Sequence, residues 1–289
     1  MQILDVFTPF VRALKASRSL EAAIQQTAHL SPFAQRAQSW GVDFREVGQW
    51  ILSDYYQSHI QQVSLPFLEM APAVVKKVES ILGVQELPGE IHLIPSLTAF
   101  DGFARYDSGH HTVLLGVDFP DASTDYLKVL TSHELSHVYR DHQPEVWGHL
   151  GKPLREITRE EYLESVTAHE HLVSEGLATL FSQFLFPEID ASIHHYYEEN
   201  EWQWCQAHHS IIEHALHQCL SNPHDQDVWR FYGEDQVAPG SPSRTQYYYA
   251  SHRIQNWLPS PVQLKSVIEA HAWHADRFYC FGPVHPQSA

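Results

Sequence analysis

The sequence predicts an α+β fold in which a small sheet, antiparallel or mixed, is followed by a mostly helical region. Two short runs near the middle of the chain, 90–94 and 111–117, are rich in Val, Ile and Leu and have strand character. The residues before these runs, and most of those after position 121, place apolar side chains at helical spacing instead. This order of segments is typical of an α+β protein.

The first part of the chain, residues 1–86, is predicted to be helical. Helices are expected from Leu20 through Ile24, over 44–58, and after Pro66 as far as Ile81. The segment Leu87-Pro88-Gly89 that follows is a turn signal. We therefore predict an N-terminal helical region, 1–86, and a second region, 87–289, that holds the sheet and the later helices.

The two strand-like runs are separated by turn signals at Asp101-Gly102 and Ser108-Gly109. We expect the runs to pair with each other in an antiparallel arrangement. We also expect 111–117 to form an edge strand, because it lies just before the metal motif described below. An edge strand at that place would bind an extended peptide through main-chain hydrogen bonds.

Four long helices are predicted after the strands. The first begins at a cap formed by Asp121 or Ser123 and runs to about Asp141. The second opens with Thr158 and Glu161 in the spacing of a capping box and stops before Pro187. The predicted bounds of the last three are 159–186, 198–220 and 245–258.

The charge balance and the absence of long apolar runs limit the class of protein. The chain has 18 Lys and Arg residues against 35 Asp and Glu residues, a formal charge of −17. This balance argues against nucleic acid or an anionic membrane as the main partner. Neither a signal peptide nor a membrane-spanning segment is expected, which predicts a cytoplasmic protein.

A metal-binding pattern, His-Glu-x-x-His, occurs at residues 133–137. On a helix the two imidazoles of His133 and His137 share one face and can bind one Zn²⁺. Glu134 points off that face and stays free to take a proton from water. Because 22 of the 289 residues are histidine, the context matters. The apolar residues Tyr126, Val129 and Leu130 precede the motif at helical spacing and place both histidines on a core-facing stripe.

A zinc site of this kind needs a third protein ligand. The metzincin extension would require Gly at 140 and His at 143, but the chain has Arg140 and Gln143, which excludes that class. The second long helix offers Glu175, and the neighbouring Gly176 indicates that another helix approaches closely there. A surface role for Glu175 is the alternative. Weaker candidates for the third ligand are Glu164, His169 and His171.

The two motifs together, His133-Glu134-x-x-His137-x-x-Arg140 and Glu175-Gly176-Leu177-Ala178, resemble those of bacterial predicted zinc-dependent proteases of gluzincin type. The resemblance covers roughly residues 90 to 258. It implies a zincin-like fold and one Zn²⁺ per chain held by His133, His137 and Glu175. It also implies that Glu134 is the general base and that the substrate is a peptide or protein.

Two positions depart from the pattern of the gluzincin-type sequences. Those sequences carry Gly-Tyr-x-x-Gly in a late helix, whereas this chain has neither Gly in its nearest match, at 247–254. Tyr248 fits the Tyr position best, with a slip of one residue left open, and His252 follows one turn later. Either side chain is expected to stabilise the oxyanion. Gluzincins also carry Asp one turn after the Glu ligand, where this chain has Thr179 as a weaker hydrogen-bond partner.

The sequence thus predicts a zinc-dependent peptidase that uses a metal-activated water and a glutamate general base. One alternative is a non-catalytic, zinc-stabilised peptide-binding or regulatory module, for which the loss of Glu134 would be the expected sign. The other alternative is a metal-dependent hydrolase of a non-peptide amide. The presence of Glu134 favours an enzyme.

Overall fold

The computed structural model describes residues 1–107, 109–220 and 236–278. The protein is α+β, about 63% helical, with a small mixed sheet of four strands among the described residues. The α+β prediction is therefore confirmed. Ser108, part of one predicted turn, lies outside the described residues.

The strands and helices follow one another along the chain in an order that begins with a strand. The strands are β1 Gln2–Asp5, β2 Glu90–Ile94, β3 Gly102–Asp107 and β4 His110–Gly116. The helices before β2 are α1 Phe7–Ser17, α2 Leu20–Gln26, α3 Leu30–Ser39, α4 Phe44–Ile51, α5 Asp54–His59 and α6 Leu65–Leu82. The helices after β4 are α7 Thr124–Asp141, α8 Pro144–Trp147, α9 Arg159–Ser165, α10 Ala168–Leu185, α11 Ala191–His194, α12 Glu199–Ala207, α13 His209–Leu220, α14 Thr245–Trp257 and α15 Leu264–His271.

The sheet has the strand order β1-β2-β4-β3. Strand β2 is parallel to β1 and to β4, with Ile91 opposite Ile3 on one side and Val113 on the other. The predicted antiparallel pairing of β2 with β4 is wrong. Along the sequence, the unpredicted strand β3 comes between β2 and β4. This extra strand reverses the direction of the chain once more before β4 begins.

The edge-strand prediction for 111–117 is also wrong, because β4 lies between β2 and β3. Strand β3 occupies that edge, and most of its residues are only half-buried. At its start, a side chain on Gly102 would meet Leu130 of α7 at 3.0 Å. The Tyr126 hydroxyl donates to Asp101 Oδ2 at 2.6 Å and ties the turn before β3 to the same helix. Strand β3 therefore starts against the helix that carries the metal motif.

The N-terminal region is mostly helical, as predicted, but it begins with β1. The apolar side chains of Phe7, Phe10, Leu14 and Leu30 are buried in its core. The predicted helix over 44–58 is two helices, α4 and α5. The break comes at Ser53, because its hydroxyl accepts a hydrogen bond from the Tyr56 amide and caps a new helix.

The later helices follow the sequence prediction in part. The prediction is confirmed for α7, which Ser123 caps by accepting from the Tyr126 amide, and for α14. The capping box of Thr158 and Glu161 is present. However, the helix predicted over 159–186 is divided into α9 and α10, because Thr167 caps a new helix at the Glu170 amide. The helix predicted over 198–220 is likewise divided at His208, and α15 was not predicted.

The chain divides into two compact units. The first comprises Met1–Tyr106 and His110–Leu135, and the second comprises Asp107–Gly109 and Ser136–Ala289. These bounds differ from the boundary after residue 86 that the sequence predicts. Among the described residues, each helix falls short of the length and apolar character that crossing a membrane requires.

Candidate metal centre

Helix α7 carries the His-Glu-x-x-His motif along a buried face. His133 is almost fully buried, His137 is half-buried, and the apolar side chains of Leu130 and Val138 on either side of them are buried. The division between the two compact units falls inside α7, between Leu135 and Ser136. Because the helix is continuous there, the two histidines keep the i, i+4 spacing that directs both rings to one side.

The three predicted ligands, His133, His137 and Glu175, come together. Each offers one ligand atom that lies within 4.8 Å of the other two. Within the second unit, His137 Nε2 lies 3.6 Å from Glu175 Oε2. Two ligand atoms of a tetrahedral zinc site are about 3.4 Å apart, given zinc–ligand distances near 2.1 Å. Two neutral imidazoles and one buried carboxylate are therefore a donor set and a spacing that fit Zn²⁺.

The imidazole of His137 is oriented by Ser174, the residue just before Glu175. Its Nδ1 lies 2.8 Å from Ser174 Oγ. With a proton on Nδ1 donated to the hydroxyl, the lone pair of Nε2 faces the metal position. One turn of α10 thus carries both the third candidate ligand and the group that orients the second. The sequence analysis missed Ser174, whose only signal was its place beside Glu175.

A buried ion pair joins the end of α7 to the start of α10. Arg140 is 1% exposed, and its Nε and Nη2 donate to the two carboxylate oxygens of Glu170 at 2.7 and 2.8 Å. Its Nη1 donates to the carbonyl oxygens of His271 and Trp273 at the end of α15. Burial raises the pKa of Glu170, and the charge of Arg140 opposes that shift. The bidentate geometry fixes the position of α7 relative to α10 near the ligands.

A second buried contact connects α7 to α15. His271 Nε2 lies 2.7 Å from Ser136 Oγ, and its Nδ1 lies 2.8 Å from the Val267 carbonyl oxygen. The ring is fully buried, and burial lowers its pKa to about 3. A neutral ring with its proton on Nδ1 satisfies both contacts, since the Ser136 hydroxyl then donates to Nε2. Ser136 lies directly before His137, so this contact holds α7 in place next to a candidate ligand.

The close approach predicted at Gly176 is present, and the neighbouring helix is α14. A Cβ atom on Gly176 would lie 2.7 Å from the Ala250 carbonyl carbon and 2.6 Å from Ile254 Cδ1. The helix backbones can come this close because Gly176 has no side chain. Glu175, which directly precedes Gly176, therefore lies where α10 and α14 approach each other closely.

The weaker ligand candidates lie outside the group of three. His169 Nε2 lies 3.1 Å from the Phe278 carbonyl oxygen, and Glu164 is exposed on α9. His171 Nε2 lies 3.7 Å from Glu175 Oε1, whereas His137 Nε2 is near the other oxygen, Oε2. Among the described residues, only His133, His137 and Glu175 meet the spacing of a metal site.

Glu134 is buried beside the site and does not belong to the group of possible ligands. Thr179 is also buried, but its hydroxyl has no hydrogen-bond partner within the described part of the chain. The residue that orients a candidate histidine ligand is therefore Ser174, and not Thr179 as the sequence analysis expected.

The predicted oxyanion residues, Tyr248 and His252, lie on the face of α14 that points away from α10. Their rings are stacked with an interplanar angle of 6° and centroids 5.9 Å apart, and Tyr248 also contacts Trp202 and His209. Burial raises the pKa of Tyr248. Since Ala250 faces Gly176, residues two positions away lie on the opposite side of the helix.

Tyr247 lies on the other side of α14, one turn before Ala250. Residues three apart share a helix face, so its ring leaves α14 on the side of α10 and Gly176. Its ring contacts Tyr196 at a centroid distance of 5.6 Å. By helix geometry, Tyr247 and not Tyr248 is therefore on the α10 side of α14.

Comparison with known proteins adds no family assignment. No protein-family model matches the chain, and no curated protein or solved structure matches it either. The likeness to gluzincins therefore rests on the two motifs alone and enters the proposal below only on that basis.

Proposed function

We propose that this protein is a zinc-dependent peptidase with a zincin-like metal centre. The observation that carries the proposal is the convergence of His133, His137 and Glu175 within 4.8 Å of one another. Three protein ligands leave a fourth position open, which is typical of catalytic zinc sites, whereas structural sites are closed by four ligands. The orientation of His137 by Ser174 supports the same interpretation.

Glu134 is the general base in this proposal. Zn²⁺ bound by the three ligands would polarise the carbonyl of a scissile amide and lower the pKa of water towards 7. The Glu134 carboxylate adjoins His133 but stays outside the ligand group. It takes the proton of the attacking water and transfers it to the leaving nitrogen.

Tyr247 is the better candidate for the residue that stabilises the oxyanion. It lies on the α10 side of α14, whereas Tyr248 and His252 pack against other aromatic rings on the far side. A phenol hydroxyl donates a hydrogen bond to a developing negative charge without a change of its own charge. The role predicted for Tyr248 or His252 thus passes to Tyr247 in this proposal.

An extended peptide is the substrate class that the sheet supports. Strand β3 lies at an edge of the sheet and begins against Leu130, one turn of α7 before His133. A peptide that pairs with an edge strand presents its amide bonds in a fixed register. The substrate strand therefore adds to β3 and not to β4, which is paired on both sides.

The test combines metal analysis with peptide hydrolysis. We expect purified protein to contain one Zn²⁺ per chain and to cleave members of a quenched fluorescent peptide library. A chelator should stop the cleavage. Glu134→Gln should keep its zinc and lose roughly 10² or more in rate. Glu164→Gln, which changes an exposed glutamate of α9, is the matched control and should retain the full rate.

Two outcomes would overturn this proposal. If His133→Ala/His137→Ala protein keeps its full zinc content, the metal lies elsewhere. If Glu134→Gln and the wild type hydrolyse a peptide at equal rates with equal zinc, the peptidase assignment fails. The non-catalytic binding module then becomes the better description.

A further inference from the structure

The carboxylate of Glu175 has a different neighbour at each of its two oxygens. Oε2 lies 3.6 Å from Nε2 of His137, which is itself a proposed metal ligand. Oε1 lies 3.7 Å from Nε2 of His171. Each oxygen of this buried carboxylate therefore has a different histidine near it, His137 at Oε2 and His171 at Oε1.

His171 is placed to act on Glu175 but not to bind the metal. The two residues are four positions apart on α10 and share one face of the helix. Yet His171 is absent from the group of ligand atoms that lie within 4.8 Å of one another. Its side chain is 30% exposed, whereas that of Glu175 is 8% exposed, so His171 lies on the solvent side of the carboxylate.

The number of oxygens that Glu175 gives to the metal decides whether a coordination position stays open. With one oxygen bound, the two histidines and Glu175 make three ligands and leave the fourth position for water or substrate. With both oxygens bound, the second oxygen would crowd that position, and a site that still holds its water would have five ligands instead of four. Groups that hydrogen-bond to a ligating carboxylate fix its orientation in this way.

We propose that His171 is a positioning residue: its Nε2, 3.7 Å from Oε1 of Glu175, moves within hydrogen-bond distance, donates its N–H to that oxygen and so keeps the carboxylate monodentate towards the metal. This inference rests on the proposed function, because it requires a metal at His133, His137 and Glu175. It assigns to His171 a role that the sequence motifs do not indicate. The open coordination position then depends on a residue outside the ligand set.

The experiment uses Co²⁺ as the probe, since its visible absorption is strong in four-coordinate sites and weak in five-coordinate ones. The full-length protein is freed of metal and titrated with Co²⁺, and Zn²⁺ affinity is measured by competition with a chromophoric chelator. We expect the wild type to show the strong absorption. His171→Phe should show weak absorption and bind Zn²⁺ about tenfold to hundredfold less tightly.

Two further variants separate positioning from a merely structural effect. His171→Gln keeps an N–H donor at a similar reach and should restore the strong absorption. His169→Phe removes the other histidine of the same helix, whose Nε2 faces the Phe278 carbonyl, and should leave the spectrum unchanged. Far-ultraviolet circular dichroism checks that each variant is folded, and His171→Ala replaces His171→Phe if the larger ring is not tolerated.

The possible outcomes distinguish this inference from the proposed function. Unchanged absorption and affinity in both His171→Phe and His171→Ala would overturn the role of His171 while leaving the metal site intact. Loss of Co²⁺ binding in His171→Gln would also overturn it, because His171 would then be a ligand. A wild type that binds neither Co²⁺ nor Zn²⁺ would overturn the proposed function itself.

Discussion

Ser174 Oγ and His137 Nδ1 lie 2.8 Å apart, so the residue that orients one proposed ligand directly precedes another along the chain. The hydroxyl has to stay on the His137 side of α10 while the Glu175 carboxylate reaches the metal position. A single rotation of α10 about its axis would therefore displace both groups together. The position of α10 therefore matters for both groups, and this helix pairs with Arg140 of α7 through Glu170 and packs against α14 at Gly176.

Removal of the Ser174 hydroxyl is expected to weaken metal binding without unfolding the protein. Ser174→Ala leaves Nδ1 of His137 without its acceptor and frees the ring to rotate, at a cost of about tenfold to hundredfold in Zn²⁺ affinity. Competition with a chromophoric chelator measures this change. Ser165→Ala on α9, whose hydroxyl donates to the Tyr162 carbonyl oxygen of its own turn, is the control. Equal affinities for the two variants would contradict the prediction.

The buried pair of Arg140 and Glu170 should be costly to break from one side. Arg140→Met leaves the Glu170 carboxylate buried without its partner, and we expect a loss of about 3 to 5 kcal/mol in the free energy of unfolding. Arg140→Met/Glu170→Met removes both charges and should recover most of that loss. Urea unfolding of the two variants measures the difference. A double variant less stable than Arg140→Met would show that the charges do not act as a pair.

A methyl group at Gly176 should push α14 away from α10. The added carbon meets the Ala250 backbone and Ile254 at 2.6 to 2.8 Å, and backbone cannot yield as a flexible side chain can. We expect Gly176→Ala to lose about 1 to 3 kcal/mol, which outweighs the gain in helix propensity of about 1 kcal/mol. Gly48→Ala on α4 meets no atom within 4 Å and should gain stability instead. Thermal unfolding of both variants shows whether each substitution lowers or raises the stability of the protein.

The second unit should lose stability in acid through His271. Burial is the main cause of its low pKa, about 3, and the nearby Arg140 and His137 add to the shift. In the unfolded chain the ring titrates near 6.5. Below that pH the unfolded state therefore binds a proton that the folded state does not bind. This group contributes stability above about pH 6.5 and loses it as the pH falls towards 3.

The pH effect is measurable as a difference between two proteins. For metal-free wild type, His271 accounts for a loss of about 2 kcal/mol between pH 7 and pH 5. His271→Gln does not titrate, so its unfolding free energy should fall by about that much less over the same interval. Because all other histidines are present in both proteins, their contributions cancel. Parallel pH profiles would show that His271 is not responsible.

The two tyrosines on α14 should differ in their effect on catalysis. Tyr247→Phe removes the hydroxyl on the α10 side and is expected to lower kcat about a hundredfold or more, with KM little changed. Tyr248→Phe keeps the ring stack with His252 and should leave kcat within about twofold. Steady-state kinetics on one peptide compares them. The reverse result would restore the register with Tyr248 as the oxyanion residue.

The sequence by itself determined those features that depend on neighbours within one helix turn. The i, i+4 spacing of His133 and His137 and the capping box at Thr158 follow from helix geometry, which repeats every 3.6 residues and needs no distant partner. Gly176 likewise indicated a close contact between helices. A glycine inside a helix lowers its stability unless another helix packs where the side chain would be. These features could be predicted locally.

Only the tertiary structure decided which distant groups meet. The sequence offered four candidates for the third ligand of the same metal, namely Glu164, His169, His171 and Glu175. Of these described residues, the fold brings only Glu175 close to both His133 and His137. The addition of β3, the interior position of β4 and the contact between Ser174 and His137 were equally outside the local pattern. Strand order and contacts between helices depend on packing between segments far apart in the chain. A local hydrophobic periodicity does not indicate which distant segment will pack against it.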